Sequence, residues 1–408
     1  MGKYLGVIVF LSAFTVAGQT LMPIQHDTNF IKHELLVSGY GELSATAIPK
    51  SVFNPFLVGG RISNESKDQA LANHKKNNRI GILAHADFQY RKYSVNLFNN
   101  PKYGFLIQGG YYVAASGNYS KDLFELGFYG NESFLGRTAD ISSTTMRFTA
   151  FQKIGFGVID KKSKSSLSVN LVNVSSFANL SIAQGELTQD SEGENIDLLL
   201  EGDFRQTQGK AFSQGLGASV DFDYRIPVPW FKEQTAFLQI QVKNFGFAYM
   251  HQGVKSYQVD SSYQYAGFNL DQLINNSSTF SDDFSLQDSL NIRTENNKEL
   301  ISLPFFIQIG KIIDEHHEGK LQSFFGLRIY PTSSYVPMLY AGANWRPANW
   351  VDLGLSLSYG GYTKFRGGFY ASFKMKNINL GLGTEDVMGL VSKNALGESL
   401  NIRLRWSL

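Results

Sequence analysis

Charged side chains spaced two residues apart are the first candidates for chemistry in this sequence. Arg403 and Arg405 are separated by one apolar residue, and so are Asp221 and Asp223. In a β-strand, residues i and i+2 point to the same face, so each pair would project side by side. Together with Arg366, they predict a charged interior, in which opposite charges pair as structural braces or, alternatively, select a solute.

Two acidic segments raise the possibility of metal binding. The segment "DEHHEGK" at 314–320 has two adjacent histidines among three acids, and "STFSDDFSLQDSLNIRTE" at 278–295 has four acids. Adjacent side chains point in different directions, and the second segment lacks the central glycine and the ligand spacing of a calcium loop. We therefore interpret the first segment as a solvated turn and the second as a solvated loop, and expect no metal site.

Catalytic signatures are missing from the sequence. It contains no G-x-S-x-G, H-E-x-x-H or P-loop motif, and its 7 histidines are dispersed. We predict that the protein is not an enzyme and needs no cofactor. The 37 basic and 35 acidic residues are scattered without a polybasic run, which argues against nucleic acid as a partner.

The first residues, "MGKYLGVIVFLSAFTVAGQTL", have the pattern of a secretory signal peptide. One lysine precedes an apolar run that ends in small residues, so we expect cleavage after Gly18 and export of the remainder. No later segment approaches the roughly 20 apolar residues of a membrane-spanning helix. If the exported chain spans a membrane, it must therefore do so as a β-barrel.

Strict alternation of apolar and polar residues dominates residues 79–408. In the stretch 351–360, for example, Val351, Leu353, Leu355 and Leu357 alternate with polar or small residues. About thirteen such strands can be counted, and because bacterial barrels have an even number, we expect a hidden one at 34–43. The predicted fold is all-β: a transmembrane antiparallel β-barrel of about 14 strands. Residues 19–78 would be an irregular segment that contributes one strand and could fold inward as a plug.

The connections between these strands divide into two classes. Long connections at 116–141, 183–214, 250–300, 331–337 and 384–397 would lie at one end, and short turns at the other, as in outer-membrane barrels. All four tryptophans fall beside the short turns, which predicts an interface girdle of Trp230, Trp345, Trp350 and Trp406. The alternative is a soluble sheet with one face packed on a core. The one predicted helix covers 120–128, with Ser120 as its cap.

Three stretches carry a family resemblance: "SKDLFELGFYGNESFLG" at 120–136, "IQVKNFGFAYMHQGVKSYQV" at 240–259 and "WRPANWVDLGLSLSYGG" at 345–361. They resemble Bacteroidota outer-membrane proteins of uncharacterised function, which are similar in architecture to the FadL-like fatty-acid transporter barrels. This resemblance implies location in the outer membrane, contact with its lipid, and insertion by the barrel-assembly machinery.

The resemblance leaves two functions open. The first is passive transport or binding of small amphipathic solutes. The alternative is a non-conducting partner or scaffold subunit of an envelope assembly, such as a secretion, gliding or barrel-assembly complex, with other envelope proteins as partners. A continuous apolar pocket would favour transport, and ordered long loops would favour docking.

Overall fold

Strands form most of the protein. The computed structural model describes residues 25–26, 31–209, 211–230, 234–265, 292–315 and 319–408. In chain order the strands are β1 (Gln25–His26), β2 (His33–Ala45), β3 (Asn77–Lys92), β4 (Tyr103–Ser120), β5 (Thr138–Asp140), β6 (Thr144–Asp160), β7 (Ser166–Gln189), β8 (Ile196–Thr207), β9 (Gly215–Trp230), β10 (Gln234–Tyr249), β11 (Val254–Tyr265), β12 (Arg293–Asn297), β13 (Leu300–Ser302), β14 (Phe306–Asp314), β15 (Leu321–Ile329), β16 (Val336–Ala348), β17 (Val351–Gly361), β18 (Phe365–Met375), β19 (Ile378–Thr384) and β20 (Gly397–Ser407).

Fourteen of these strands close into an antiparallel barrel. They are β2, β3, β4, β6, β7, β9, β10 and then β14 to β20, each paired with the next. The ring closes between β2 and β20, in register from Glu34 opposite Ser407 to Ser44 opposite Gly397. The predicted fold class is confirmed, and β2 is a strand in the region 34–43 where the fourteenth was expected.

The alternation places apolar side chains outside and polar ones inside. On β17, Leu355 and Leu357 are 65% and 57% exposed, whereas Asp352, Ser356 and Ser358 are buried. A soluble sheet would bury its apolar face instead, because the hydrophobic effect drives apolar surface out of water. An apolar outer wall around a polar interior is the arrangement of a transmembrane barrel.

The two ends of the barrel differ as predicted. Two-residue turns join β16 to β17 and β18 to β19 at one end, which we call the short-turn end. The opposite end carries the helices α1 (Lys50–Val58), α2 (Asn64–Asn73), α3 (Lys121–Tyr129) and α4 (Val387–Val391). The Ser120 hydroxyl accepts a hydrogen bond from the Leu123 backbone N–H at 3.0 Å, which confirms the predicted helix and its cap. Within the described ranges, no helix is both long and apolar enough to cross a membrane.

The segments 183–214 and 250–300 were expected to be loops, but they contain strands. The first half of β7 pairs with β9 in the barrel wall, and its second half continues past β9 and pairs with β8. β8 pairs with β11, and β11 with β12. We call β8, β11, β12 and the second half of β7 the sheet extension. Its β8 was missed because Leu198, Leu199 and Leu200 interrupt the alternation that identifies a half-buried strand.

The N-terminal segment is described in part. Residues 1–24, which contain the predicted signal peptide, lie outside the described residues, and so do 27–30. Helices α1 and α2 pack at the rim opposite the short turns: Phe53 contacts the apolar end of β2, and Val52 packs with Tyr119 and Phe124. The inward plug stays a prediction.

Candidate functional site

The five charged candidates lie on the inner wall of the barrel, in two groups. Asp221 and Asp223 on β9 and Arg403 and Arg405 on β20 line one cavity in the lumen. Arg366 on β18 is 3% exposed and does not line that cavity; it lies within an aromatic layer that borders the cavity.

This aromatic layer fills the lumen from the end opposite the short turns toward the middle. Tyr330 and Tyr335 come from the β15–β16 connection, and Tyr362 from the β17–β18 connection. The ring centroids of Tyr330 and Tyr335 lie 4.8 Å apart, and those of Tyr335 and Tyr362 lie 5.0 Å apart. Side chains of the barrel strands complete what we call the tyrosine layer: Tyr40, Leu83, Phe306, Ile313, Phe324, Tyr330, Tyr335, Met338, Tyr340, Tyr362 and Tyr370.

Glycines on the strands make room for these rings. A Cβ atom on Gly81 would lie 2.1 Å from the Tyr362 ring, and one on Gly354 would lie 1.9 Å from the Tyr370 ring. Such distances are far below van der Waals contact, so each ring lies directly on backbone that only glycine leaves bare. The sequence prediction missed the tyrosine layer, and inward-facing glycines within strands were the signal that could have revealed it.

Buried ion pairs brace the tyrosine layer. The Arg366 guanidinium lies 2.5 Å from the Glu42 carboxylate, and both side chains are at most 1% exposed. The Tyr40 hydroxyl donates to Glu42 at 2.5 Å and to Glu385 at 3.2 Å, and Arg328 lies 3.6 Å from Glu385. A buried charge is tolerated only when it is paired and hydrogen-bonded. The Glu42–Arg366 pair has the geometry expected of a structural brace, one of the two roles considered for the inward charges.

The cavity lies between the tyrosine layer and the short-turn end and has a volume of about 130 Å³. Its apolar lining consists of Leu36, Phe222, Ile312, Phe324, Tyr340 and Tyr370. The rest of the lining is mostly polar or charged. Among the described residues it carries seven cations and four carboxylates: Arg91, Lys164, Arg225, Lys243, Lys311, Arg403 and Arg405, with Glu34, Asp87, Asp221 and Asp223.

Ion pairs in and beside the cavity lining join strands that are not neighbours. Lys243 of β10 lies 3.0 Å from Asp87 of β3, five strands away in the ring. Lys153 of β6 lies 2.5 Å from Asp221 of β9 and donates to Asn244 at 2.6 Å. These contacts tie distant parts of the wall together and fix the shape of the cavity.

A second set of ion pairs lies at the short-turn end. Arg405 lies 2.6 Å from Glu34 and 3.2 Å from Glu315. Glu315 also lies 3.1 Å from Lys374, which in turn lies 3.2 Å from Asp352. Glu315 belongs to the "DEHHEGK" segment, which was interpreted as a solvated turn; this carboxylate is instead 20% exposed and bound to two cations. The rest of that motif, 316–318, lies outside the described residues.

Three of the four girdle candidates have described side chains on the outer surface. Trp345, Trp350 and Trp406 are 49%, 60% and 42% exposed, and all lie near the short turns. The side chain of Trp230 lies outside the described ones. An exposed indole at a strand end is suited to the polar–apolar boundary of a membrane.

Comparison with solved structures finds distant similarity to hydrocarbon channels and transporters, including the following three structures. Over 93% of this chain and 91% of the other, the chain is 11% identical, with a TM-score of 0.40, to the "TodX deltaS2S3 mutant monoaromatic hydrocarbon channel". It is 12% identical to the Ralstonia pickettii toluene transporter TbuX, over 93% and 90% of the two chains, with a TM-score of 0.38. It is 10% identical to the P. putida toluene transporter TodX, over 92% and 89% of the two chains, with a TM-score of 0.36. These scores are too low to transfer a function.

No curated protein matches the chain. A family model described as "Family of unknown function (DUF5723)" matches residues 49–385, from α1 to the connection after β19. The match covers most of the barrel, including the tyrosine layer except Tyr40 and most of the strands that line the cavity. The chain therefore belongs to this family of unknown function, DUF5723.

Proposed function

We propose that the protein is an outer-membrane β-barrel that binds a small solute in its lumen and passes it across the membrane. The observation that carries this proposal is the cavity of about 130 Å³ inside a closed barrel with an apolar outer wall. Lipid covers the outer wall, and the solute enters the polar interior. Passage is passive, and the barrel-assembly machinery inserts the protein.

The tyrosine layer closes the path between the cavity and the end opposite the short turns. Tyr335 and Tyr362 lie in connections rather than in strands, and connections open more easily than a hydrogen-bonded wall. Movement of these two connections therefore opens the path, while the Glu42–Arg366 pair keeps the strands beneath them in place.

The proposal is tested by solute-driven swelling of proteoliposomes that contain the full chain. Tyr362→Ala removes a ring from the tyrosine layer, so we expect a faster flux of glycerol-sized solutes than in the unchanged protein. Tyr359→Ala removes the same side chain, 64% exposed, from the outer wall three residues away, and should leave the flux unchanged. A flux equal to that of protein-free liposomes for all three proteins, each shown to be folded, would contradict the transport function.

The sheet extension favours a second function, that of a non-conducting partner in an envelope assembly. β12 is exposed throughout and, within the described part of the chain, pairs only with β11. A strand with one unpaired edge can accept a strand from another protein. Mild-detergent extraction of the native protein tests this function: envelope proteins present in stoichiometric amounts would support it, and loss of that association on deletion of 254–297 would assign it to the sheet extension.

A further inference from the structure

We propose that helix α4 is a lipid-binding part of the barrel wall, with its exposed apolar side chains in the acyl chains at the edge of the bilayer. This inference rests on the proposed location in the outer membrane and extends the contact with lipid from the strands to a helix. It follows from the place of α4 in the wall, from the side chains that it exposes and from the hydrogen bonds of its backbone.

Helix α4 occupies a gap between two strands of the wall. Strand β19 is short, and its last pairs are Gly383 with Asn401 and Thr384 with Phe369, so residues 365–368 of β18 and 397–400 of β20 extend beyond it. Helix α4 follows β19 and contacts both of these strands. A Cβ atom on Gly389 would lie 2.4 Å from the carbonyl oxygen of the first residue of β20, so the helix packs directly on that backbone. It therefore takes the place of a strand in this part of the wall.

The start of α1 packs beside α4 on the outer side of the barrel. On β2, the Glu42 side chain points into the lumen, so its neighbour Leu43 points outward. Leu43 is nevertheless buried, because it packs with Phe53 of α1. On β20, Glu398 belongs to the outward set of residues, and its carboxylate lies 2.7 Å from the Lys50 ammonium at the first position of α1. These contacts place the two helices against the face of the wall that lipid covers elsewhere.

The exposed side of α4 is apolar. Met388, Leu390 and Val391, three of its five residues, are 59%, 62% and 74% exposed. On either side of the gap, the outward residues Phe365 of β18 and Leu400 of β20 are 64% and 57% exposed. The apolar outer surface of the strands therefore continues across the helix.

The backbone of the α4 segment finds hydrogen-bond partners within the protein. The Lys50 backbone N–H donates to the Ala395 carbonyl, and the Ser51 N–H donates to the Lys393 carbonyl, both at 2.9 Å. The Lys50 ammonium donates to the Gly389 carbonyl. Acyl chains offer no hydrogen bonds, so a segment at the edge of the bilayer needs such partners. Helix α1 supplies them at three carbonyl groups that a regular strand would have paired in the sheet.

Lipid is the occupant that best fits this surface. Exposed apolar patches mark sites that bind either membrane or another protein. The patch on α4 lies between two strands whose outer residues belong to the apolar band of the barrel, so lipid that covers those strands also reaches the helix. Removal of these side chains from water stabilises the inserted protein by the hydrophobic effect.

Site-specific fluorescence quenching tests this inference, because the chain has no cysteine and a single introduced cysteine carries the only label. Leu390→Cys places the label on α4, Leu357→Cys on the outer wall of β17 and Leu199→Cys in the sheet extension. The full chain, labelled with a nitrobenzoxadiazole fluorophore, is inserted into phosphatidylcholine vesicles. One quencher is a lipid with a nitroxide on its acyl chain, and the other is iodide on both sides of the membrane.

We expect the lipid nitroxide to remove most of the fluorescence of the Leu390→Cys and Leu357→Cys proteins and little of that of Leu199→Cys. Iodide should show the reverse order. If Leu390→Cys behaves like Leu199→Cys, α4 lies in water and the inference is refuted. If its label is shielded from both quenchers, protein rather than lipid covers α4, which also refutes the inference.

Folding of each labelled protein is checked by its shift in electrophoretic mobility on heating. Val391→Cys, at the most exposed position of α4, replaces Leu390→Cys if that variant does not fold, and the same results are expected. Lipid contact at Leu357→Cys without lipid contact on α4 would leave the membrane location standing and refute this inference alone. Absence of lipid contact at Leu357→Cys would refute the membrane location itself, and this inference with it.

Discussion

At the scale of single residues, inward charges of this barrel are stabilised by partners on other strands. Alternation predicted that Asp221, Asp223, Arg366, Arg403 and Arg405 would share the inner face, because a period of two determines the face of a strand. It could not predict that Arg366 would bind Glu42. The partner across a lumen depends on the closure and stagger of the whole ring of strands, which no local pattern contains.

The Glu42–Arg366 pair yields a stability prediction. Arg366→Met leaves the Glu42 carboxylate buried and unpaired, so we expect the free energy of unfolding to fall by about 3–5 kcal/mol. The double variant Arg366→Met/Glu42→Gln should lose less free energy of unfolding, because no uncompensated charge remains. Unfolding of the detergent-solubilised barrel in guanidinium measures both.

A matched control is the exposed pair Lys76–Asp140, whose side chains are 84% and 42% exposed. Lys76→Met should change stability by less than about 1 kcal/mol, because surface ion pairs contribute little. Equal effects of Lys76→Met and Arg366→Met would show that the pair inside the tyrosine layer is not a brace.

We expect His74, at the end of α2, to make the stability of the rim depend on pH. Its Nδ1 lies 2.6 Å from the Ala70 carbonyl and its Nε2 lies 3.1 Å from the Tyr119 hydroxyl, and its ring packs on Phe124. Burial, with a smaller effect of nearby Lys121, lowers the pKa of His74 below 6.5, although the Ala70 hydrogen bond opposes the shift. The neutral ring therefore donates to Ala70 and accepts from Tyr119.

The direction in which stability changes with pH follows from the direction of that pKa shift. Below about pH 6.5 the unfolded rim takes up a proton that the folded rim refuses, so stability is full above pH 6.5 and is lost as the pH falls toward the folded pKa. Hydrogen exchange of the α2 amides, corrected for intrinsic rates, should show weaker protection at pH 5 than at pH 7.5. His74→Gln should remove this difference; a variant that keeps it would assign the pH dependence to another group.

At the scale of elements, strands and caps were predictable where the pattern is local. The hidden strand near 34–43 is β2, and the Ser120 cap begins α3 as expected, since both depend on a few adjacent residues. The sheet extension was missed because it is held by pairing between β7, β8 and β11, strands far apart in sequence. The tyrosine layer was missed for a related reason, since Tyr362 of the β17–β18 connection packs on Gly81 of β3, which is far away in sequence.

The contact between Gly81 of β3 and Tyr362 of the β17–β18 connection can be tested by substitution. In Gly81→Ala the new Cβ would overlap the Tyr362 ring at 2.1 Å, so the ring must move, and we expect a loss of about 1–3 kcal/mol. Gly41→Ala is the control, because a Cβ at that position meets nothing within 4 Å. Thermal unfolding of both variants measures the difference, and Tyr362→Ala should lessen the effect of Gly81→Ala. If Gly41→Ala is as destabilising as Gly81→Ala, the Tyr362 contact is not responsible.

At the scale of the whole molecule, the polarity of the barrel is inverted relative to a soluble protein, and this property was predictable from alternation and loop asymmetry together. The lumen was not. A polar inner face is compatible with an open channel, with paired braces or with a closed interior, and the structure has buried ion pairs and a packed tyrosine layer beside a cavity.

The position of the membrane along the barrel can be tested with arginine substitutions. Leu357, 57% exposed, lies within the outer wall of β17, and Leu199, 37% exposed, lies in the sheet extension. Leu357→Arg should destabilise the protein in lipid vesicles by about 2–4 kcal/mol, whereas the effect of Leu199→Arg should be near zero if that strand lies in water. Reversible unfolding in vesicles compares the two variants, and equal losses would contradict the prediction that the outer wall of β17 lies in lipid and the sheet extension in water.

The most direct test of a lumen that passes small solutes is uptake of labelled glycerol into proteoliposomes that contain the unchanged full chain. We predict uptake that exceeds the rate in protein-free liposomes, is increased by Tyr362→Ala and is left unchanged by Tyr359→Ala. Uptake no faster than in protein-free liposomes, with the barrel shown to be folded and inserted, would contradict it.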